Sequence, residues 1–308
     1  MNQPHLIAEF LATPWALMPE RLNAMAAVLE RWSRNFPAGD EVMARIGADR
    51  SAREARRQSN QVNTGGGIAV LPLYGVVTQR GNMVDDVSGG GSTSTQQFTA
   101  SLRQALADES VSQILIDIDS PGGSVYGVAE LAEDILSARS QKPVIAIANS
   151  LAASAAYWIG CSASEFYVTP GGEVGSIGVW QAHQDYSRAM DEAGVKTTLI
   201  SAGKFKVEGN PYTPLDEEAQ AFMQSRVDDY YGAFTKAVAR GRGVPISQVR
   251  DGMGQGRVLG ADAALNHQMV DGVATLDDVI NKMRRTGKAQ AKPTVSRLAQ
   301  ARHALALL

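Results

Sequence analysis

The chain has 308 residues, 44% hydrophobic and 20% charged, a composition that can bury one sizeable core and excludes fibrous and disordered classes. A formal net charge of -3 gives the body of the protein no general attraction to nucleic acid or anionic lipid. The single Cys161 excludes an intramolecular disulfide, and no run approaches the roughly 18 to 20 apolar residues of a membrane span, so a cytoplasmic chain without membrane contact is expected.

Residues 1–50 are predicted to form a helical arm, because Leu22, Met25, Leu29 and Trp32 recur at helical spacing after Pro19, which suits a first helical turn. Such an arm needs a partner surface. Residues 51–67, SAREARRQSNQVNTGGG, have the polar, Gly-ending composition of a linker. The core is predicted over 68–278. It opens with IAVLPLYGVV at 68–77, an apolar β-rich run whose internal Pro72 suggests an edge strand or a bulge. Residues 78–95 read as a Gly/Ser/Thr loop.

Further apolar runs at 113–119, 144–150 and 165–170 alternate with helical patterns, which argues for parallel strands joined by helical crossovers and hence an α/β class. Val128, Leu131, Ala132, Ile135 and Leu136 give one crossover helix a single core-facing stripe. A second helix is predicted from Thr213 as N-cap, with Pro214 in its first position. It runs to about Arg240 through Ala219, Phe222, Met223, Val227, Tyr230 and Phe234, with Gly241 and Gly243 ending it. Residues 279–308 carry seven Lys/Arg and no Asp or Glu, a basic tail that is either solvated or a local contact for a partner or nucleic acid.

Four segments have the makings of chemistry. In IDIDSPGGSV, residues 116–125, a buried strand runs through paired glycines into a helix, and such a junction exposes backbone amides that can hold an oxyanion. In IAIANSLAASAAYWIG, residues 145–160, small residues surround Ser154, leaving room for a substrate backbone; Ser150 is a rival nucleophile. A helix starting near Ser154 would set its hydroxyl at a positive dipole end and let the Ala155 amide join Gly123. The third segment is GSIGVW at 175–180 and the fourth SAGKFKVEGNPYTPL at 201–215.

A serine nucleophile needs a base. His5, His183, His267 and His303 are scattered, and only His183 falls near these segments, so a Ser/His/Asp triad has no support from spacing. A lysine serves only when neutral, which takes a pKa lowered from about 10.4 toward about 7, a differential cost of about 4 to 5 kcal/mol that burial in an apolar cleft can impose.

Taken together, the four segments resemble the signal peptide peptidase A family of serine peptidases, whose core is related to Clp protease and crotonase. The order agrees over about residues 68–275: a strand ending in D-S-P-G-G, S-x-A-A-S-A-A-Y, G-S-I-G-V, then G-x-x-K-x-x-x-x-P-Y before a long helix. The resemblance implies a spiral of ββα units, Ser154 as nucleophile, Lys206 rather than Lys204 as general base, and Ser176 as the hydroxyl that orients the lysine. It also implies an oxyanion hole of the Gly123 and Ala155 amides, aided by Gly122, with no cofactor and no metal.

Within the family the chain is similar to the capsid assembly, or head maturation, proteases of tailed phages, through GxxKVxGNPY, the following Q-S-R segment and an A-H pair after G-S-I-G-V. That likeness implies capsid, scaffold or portal proteins as substrates and a ring-shaped homo-oligomer whose serine and lysine can come from neighbouring protomers. It also implies a place in the host cytoplasm or inside a procapsid. Three other readings compete: a cellular signal-peptide-peptidase-like protease, a capsid scaffold factor with a retired site, and a crotonase-type acyl-CoA enzyme. The last would have no need of the Ser154, Ser176 and Lys206 set.

Overall fold

The computed structural model describes residues 10–33, 67–80 and 91–290. The predicted linker, apart from Gly67, lies outside the described residues, as do the two ends of the predicted arm and the tail beyond 290. In chain order the elements are β1 (Trp15–Leu17), α1 (Pro19–Ser33), β2 (Ile68–Tyr74), β3 (Val76–Thr78), β4 (Ser92–Ser94) and α2 (Thr95–Ala107). There follow β5 (Gln113–Ser120), β6 (Gly122–Ser124), α3 (Val128–Ala138), β7 (Val144–Ala153), α4 (Ala155–Gly160), β8 (Glu165–Val168) and β9 (Glu173–Gly175). The last are α5 (Ser187–Glu192), α6 (Glu217–Arg242), α7 (Ile246–Gly252), β10 (Val258–Gly260), α8 (Ala261–Asn266), β11 (Gly272–Val273) and α9 (Leu276–Gln290).

The apolar runs of β5 and β7 lie at the middle of the main sheet, ordered β10-β9-β7-β5-β2, with β8 also on β7 and β11 on β8. β2, β5 and β7 are parallel. Along β5, Ile114, Ile116 and Ile118 enter one cluster with Leu131, Ile135, Trp158 and Phe234 of the covering helices, while Leu115 joins Ile68, Val70, Ile145 and Ile147 under Val279 and Met283 of α9. Both faces are covered, as a parallel sheet requires, and the α/β class is borne out. Among the described residues β2 pairs with β5 alone, so Pro72 sits on an edge strand, where a missing N–H is tolerated. Cys161 is fully buried, and burial pushes its thiol up to about 12.

Several predicted boundaries move for local reasons. Helix α3 forms with Val128, Leu131, Ala132 and Ile135 buried. Helix α6 begins three residues later than Thr213 allows, because the Asp216 carboxylate accepts the Ala219 N–H at 2.7 Å and stands with Glu217 and Glu218 at the positive helix end. Gly243, with φ 66, ends α6; Gly241 stays inside it, where a Cβ would lie 2.2 Å from the Cys161 carbonyl oxygen. The apolar stripe of α6 is interrupted: Ala219 in its first turn and Phe234 and Val238 in its second half are buried, whereas Phe222 is 53% exposed. The predicted loop 78–95 contains β4 and the N-cap of α2, Ser94, whose Oγ accepts the Gln97 N–H. The boundary expected at 278 falls inside α9, whose Val279 and Met283 belong to the core.

A second, smaller sheet runs β1-β6-β3-β4. Gly75, with φ 69, breaks the predicted run 68–77 into β2 and β3 and lets the chain pass from one sheet to the other. In the arm, α1 opens at Pro19 as expected, with Leu22 and Met25 buried against Leu11, Trp15, Leu17 and Val76. The strand β1 ahead of it was not expected. It lies antiparallel to β6, with Leu17 opposite Gly122 and Ala16 opposite Gly123.

Candidate active site

Strand β7 pairs with β8 along its first half, Ile145 to Ala148, and with β9 along its second, Leu151 to Ala153. Its register with β5 also shifts between Ile118 and Ser120. The end of β7 turns into α4 through one residue, Ser154. That residue has φ 55 and ψ -117, a conformation that costs a non-glycine residue about 1 to 3 kcal/mol and persists only when its surroundings enforce it.

The enforcement is visible. Ser154 N–H donates to the Gly175 carbonyl at 2.7 Å, and the Trp158 N–H closes the first helical turn on the Ser154 carbonyl at 3.0 Å. Trp158 stacks on Phe234 with ring centroids 4.7 Å apart, and the Tyr157 hydroxyl donates to the Met269 carbonyl at 2.9 Å. The small residues read from the sequence, Ala152, Ala153, Ala155 and Ala156, are all buried around the turn. Ser150 lies within β7, with no helix start beside it.

Ser154 is 1% exposed, and its Oγ donates weakly to the Gly178 carbonyl at 3.4 Å. Beside it, a Cβ on Gly122, whose φ is +100, would stand 2.3 Å from the Ala16 carbonyl oxygen and 2.9 Å from Ser154 Cβ. One on Gly123 would stand 1.9 Å from the Val77 carbonyl oxygen. Both glycines are therefore required by close approach. The Gly122 N–H donates to Ser120 Oγ at 3.2 Å, and the Ser120 hydroxyl to the Gly75 carbonyl at 2.6 Å. Gly122's amide is thus already engaged, which revises its expected part as a donor; its contribution is room. The first amides of α4, with Ala155 leading, have no acceptor within the helix.

Ser176 follows Gly175, whose carbonyl holds the Ser154 amide, so the two serines meet through one backbone hydrogen bond. Its φ is 53, its N–H donates to the Arg257 carbonyl at 2.8 Å, and it is buried. Among the described residues its hydroxyl has no hydrogen-bond partner.

Lys206 is exposed, and among the described residues its ammonium has no partner, whereas Lys204 pairs with Glu218 at 2.9 Å. No hydrogen bond joins Lys206 to Ser154 or Ser176 among the described residues. Asn210 organises the lysine loop through the Val207 carbonyl at 2.9 Å and the Tyr212 N–H at 3.0 Å. His183 Nε2 meets the Asn210 carbonyl at 3.0 Å, which ties this loop to the segment after Ser176 and gives His183 a bracing role in place of a base.

Two features escaped the sequence. One is β1. The other is Asp117, buried in β5, where burial pushes its carboxyl up while the Tyr74 hydroxyl and Asn149 Nδ2, the latter at 3.2 Å, donate to it and restrain the rise. A carboxylate inside the apolar run QILIDID was the available signal for the second. Trp15, Ala16 and Leu17 after a proline were the signal for the first.

Residues 137–290, half of the chain, match the description "Peptidase family S49". The capsid assembly protease C of Escherichia phage lambda is 36% identical over 296 residues, which cover 92% of this chain and 66% of that protein. The head-tail preconnector protein GP5 of Enterobacteria phage P21 is 36% identical over 79% of this chain and 46% of that protein. A putative signal peptide peptidase SppA of Enterococcus faecium is 25% identical over 72% of this chain and 64% of that protein.

Proposed function

The chain belongs to peptidase family S49, and from that premise we propose that it is a serine endopeptidase working through a Ser154/Lys206 dyad on proteins of an assembling phage head. The observation that carries the reading is Ser154 itself: a strained strand-to-helix turn, lined by alanines and set against the Gly122–Gly123 strand, on the residue that the four segments single out. Such a turn is the kind of geometry that presents a hydroxyl beside unpaired helix amides.

In this mechanism neutral Lys206 takes the proton of Ser154 as the hydroxyl attacks a peptide carbonyl, and returns it to the leaving amine. The amides of Gly123 and Ala155 stabilise the oxyanion, each such donor being worth about 3 to 4 kcal/mol of barrier. Ser176, with its free hydroxyl, accepts or donates to the lysine and holds it. Water then hydrolyses the acyl-enzyme.

Within one protomer Lys206 is exposed and has no hydrogen bond to Ser154 among the described residues, which favours a base supplied by a neighbouring copy. The segment leading to Lys206 supports this: Val195, Leu199, Ile200 and Phe205 are exposed at 46%, 40%, 96% and 51%, an apolar stretch that a partner would cover. A ring of such protomers, built on a Clp/crotonase-type spiral core, is the assembly this implies.

Capsid, scaffold or portal proteins are the substrates suggested by the phage relatives, with the host cytoplasm or a procapsid as the place of action. Among the described residues no helix is long and apolar enough to cross a membrane. Incubation with candidate head proteins, with mass spectrometry locating new termini, tests the reading. Ser154→Ala and Lys206→Ala proteins must yield none of those termini, and termini produced by Ser154→Ala at the wild-type rate would overturn it.

A further inference from the structure

Strand β6 has two edges. One is filled by β3, with Val77 in register with Gly123. The other is filled by β1 of the arm, with Trp15, Ala16 and Leu17 opposite Ser124, Gly123 and Gly122. The arm's outer edge is paired as well: Trp15 and Trp180 exchange N–H to carbonyl hydrogen bonds at 2.8 and 3.0 Å, and the Ala182 N–H donates to the Leu11 carbonyl at 3.0 Å. Trp180 Nε1 donates to the Leu17 carbonyl at 3.0 Å, and the Met18 N–H to the Pro121 carbonyl at 3.1 Å. Trp15–Leu17 is thus an extended strand held between two backbone edges, with Leu11 and Met18 tied down on either side of it.

It is held at the nucleophile. The Ala16 carbonyl oxygen and Ser154 Cβ converge on one point beside Gly122, at 2.3 and 2.9 Å, and Ser154 is left 1% exposed. A substrate that adds to β6 as a strand beside Ser154 has only this same edge to take, since the other belongs to β3. Arm and substrate therefore exclude each other sterically. Resting on the assignment of Ser154 as nucleophile, we propose that residues 15–18 are a tethered occupant of the peptide groove, an intramolecular competitor that must leave before a substrate is cut. Leu11, Trp15, Leu17, Leu22 and Met25 anchor it on Val76 and Trp180.

The test follows the rate at which a fluorophosphonate labels Ser154 in the full chain. Leu17→Asp, which sets a carboxylate where Leu17 is 1% exposed, releases the arm; labelling rises about tenfold or more, because reactivity scales with the fraction of molecules whose groove is open. A synthetic peptide of residues 10–18, FLATPWALM, added to that variant restores slow labelling, and a scrambled peptide does not. Leu17→Ala repeats the comparison with a smaller perturbation should Leu17→Asp fail to fold.

A folded variant labelled at the wild-type rate, or one indifferent to the peptide, overturns the proposal. Labelling that survives Ser154→Ala overturns the nucleophile assignment instead. The arm is then judged alone, by fluorescence anisotropy of the labelled peptide, which must bind Ser154→Ala/Leu17→Asp protein and not Ser154→Ala protein.

Discussion

Gly122 and Ser154 touch across the gap between β6 and α4: the position of a Cβ on Gly122 is 2.9 Å from Ser154 Cβ, with the Ala16 carbonyl oxygen closer still at 2.3 Å. Gly122→Ala must shift one of three backbones and adopt a φ of +100, which is strained for any L residue by about 1 to 3 kcal/mol. Proteolysis and fluorophosphonate labelling should fall about a hundredfold, the size of effect seen when one oxyanion group is misplaced. Gly171→Ala, with open space around it, should change stability by less than about 0.5 kcal/mol.

Ser154 combines function with strain. Replacing it by glycine removes the nucleophile and relieves a positive φ of 55, so Ser154→Gly should be inactive yet more stable by about 1 kcal/mol. Ser154→Ala keeps its Cβ and should show no comparable gain. Urea denaturation of the three proteins decides; a Ser154→Gly protein less stable than wild type would mean that the turn is unstrained.

Lys204 and Lys206 separate by context. The Lys204–Glu218 pair is 69% and 62% exposed, and such pairs contribute about 1 kcal/mol or less, so Lys204→Ala should retain activity and fold normally. Lys206→Ala should lose activity without losing stability. Full activity in a demonstrated monomer, checked by light scattering across a dilution series, would contradict the base coming from a neighbour.

Acid stability should report Asp271. Burial pushes its carboxyl up, but two hydrogen bonds from Arg242 at 2.8 Å, the Phe166 N–H and the guanidinium charge outweigh burial and hold it below the usual carboxylate range. A carboxylate depressed by folding stabilises the fold above its unfolded pKa of about 3.9 and loses that contribution as the pH falls through its folded value. Wild type should therefore lose stability below about pH 4 more steeply than Asp271→Asn. At pH 7 the variant should be less stable by about 1 to 2 kcal/mol, because the Arg242 side chain, 6% exposed, is left without its carboxylate.

The sequence by itself determined the α/β class, because β-branched runs such as QILIDID and VIAIAN can be buried on both faces only in a covered parallel sheet. It also determined the helix from Val128, where one stripe of apolar residues suffices, and the small-residue setting of Ser154. Where local signals compete it went astray: Thr213-Pro214 and Asp216 are both fair helix starts, and the carboxylate beside two glutamates prevails. Tertiary structure alone decided what depends on distance along the chain. It set Trp15–Leu17 against Gly122–Ser124, more than a hundred positions away in register, and engaged the Gly122 amide with Ser120. It also left Lys206 solvated while bracing its loop through His183 and Asn210. Periodicity reports which face of an element is buried, but not which distant backbone buries it, and here a distant backbone, the arm on the β6 edge, lies against Gly122 beside Ser154.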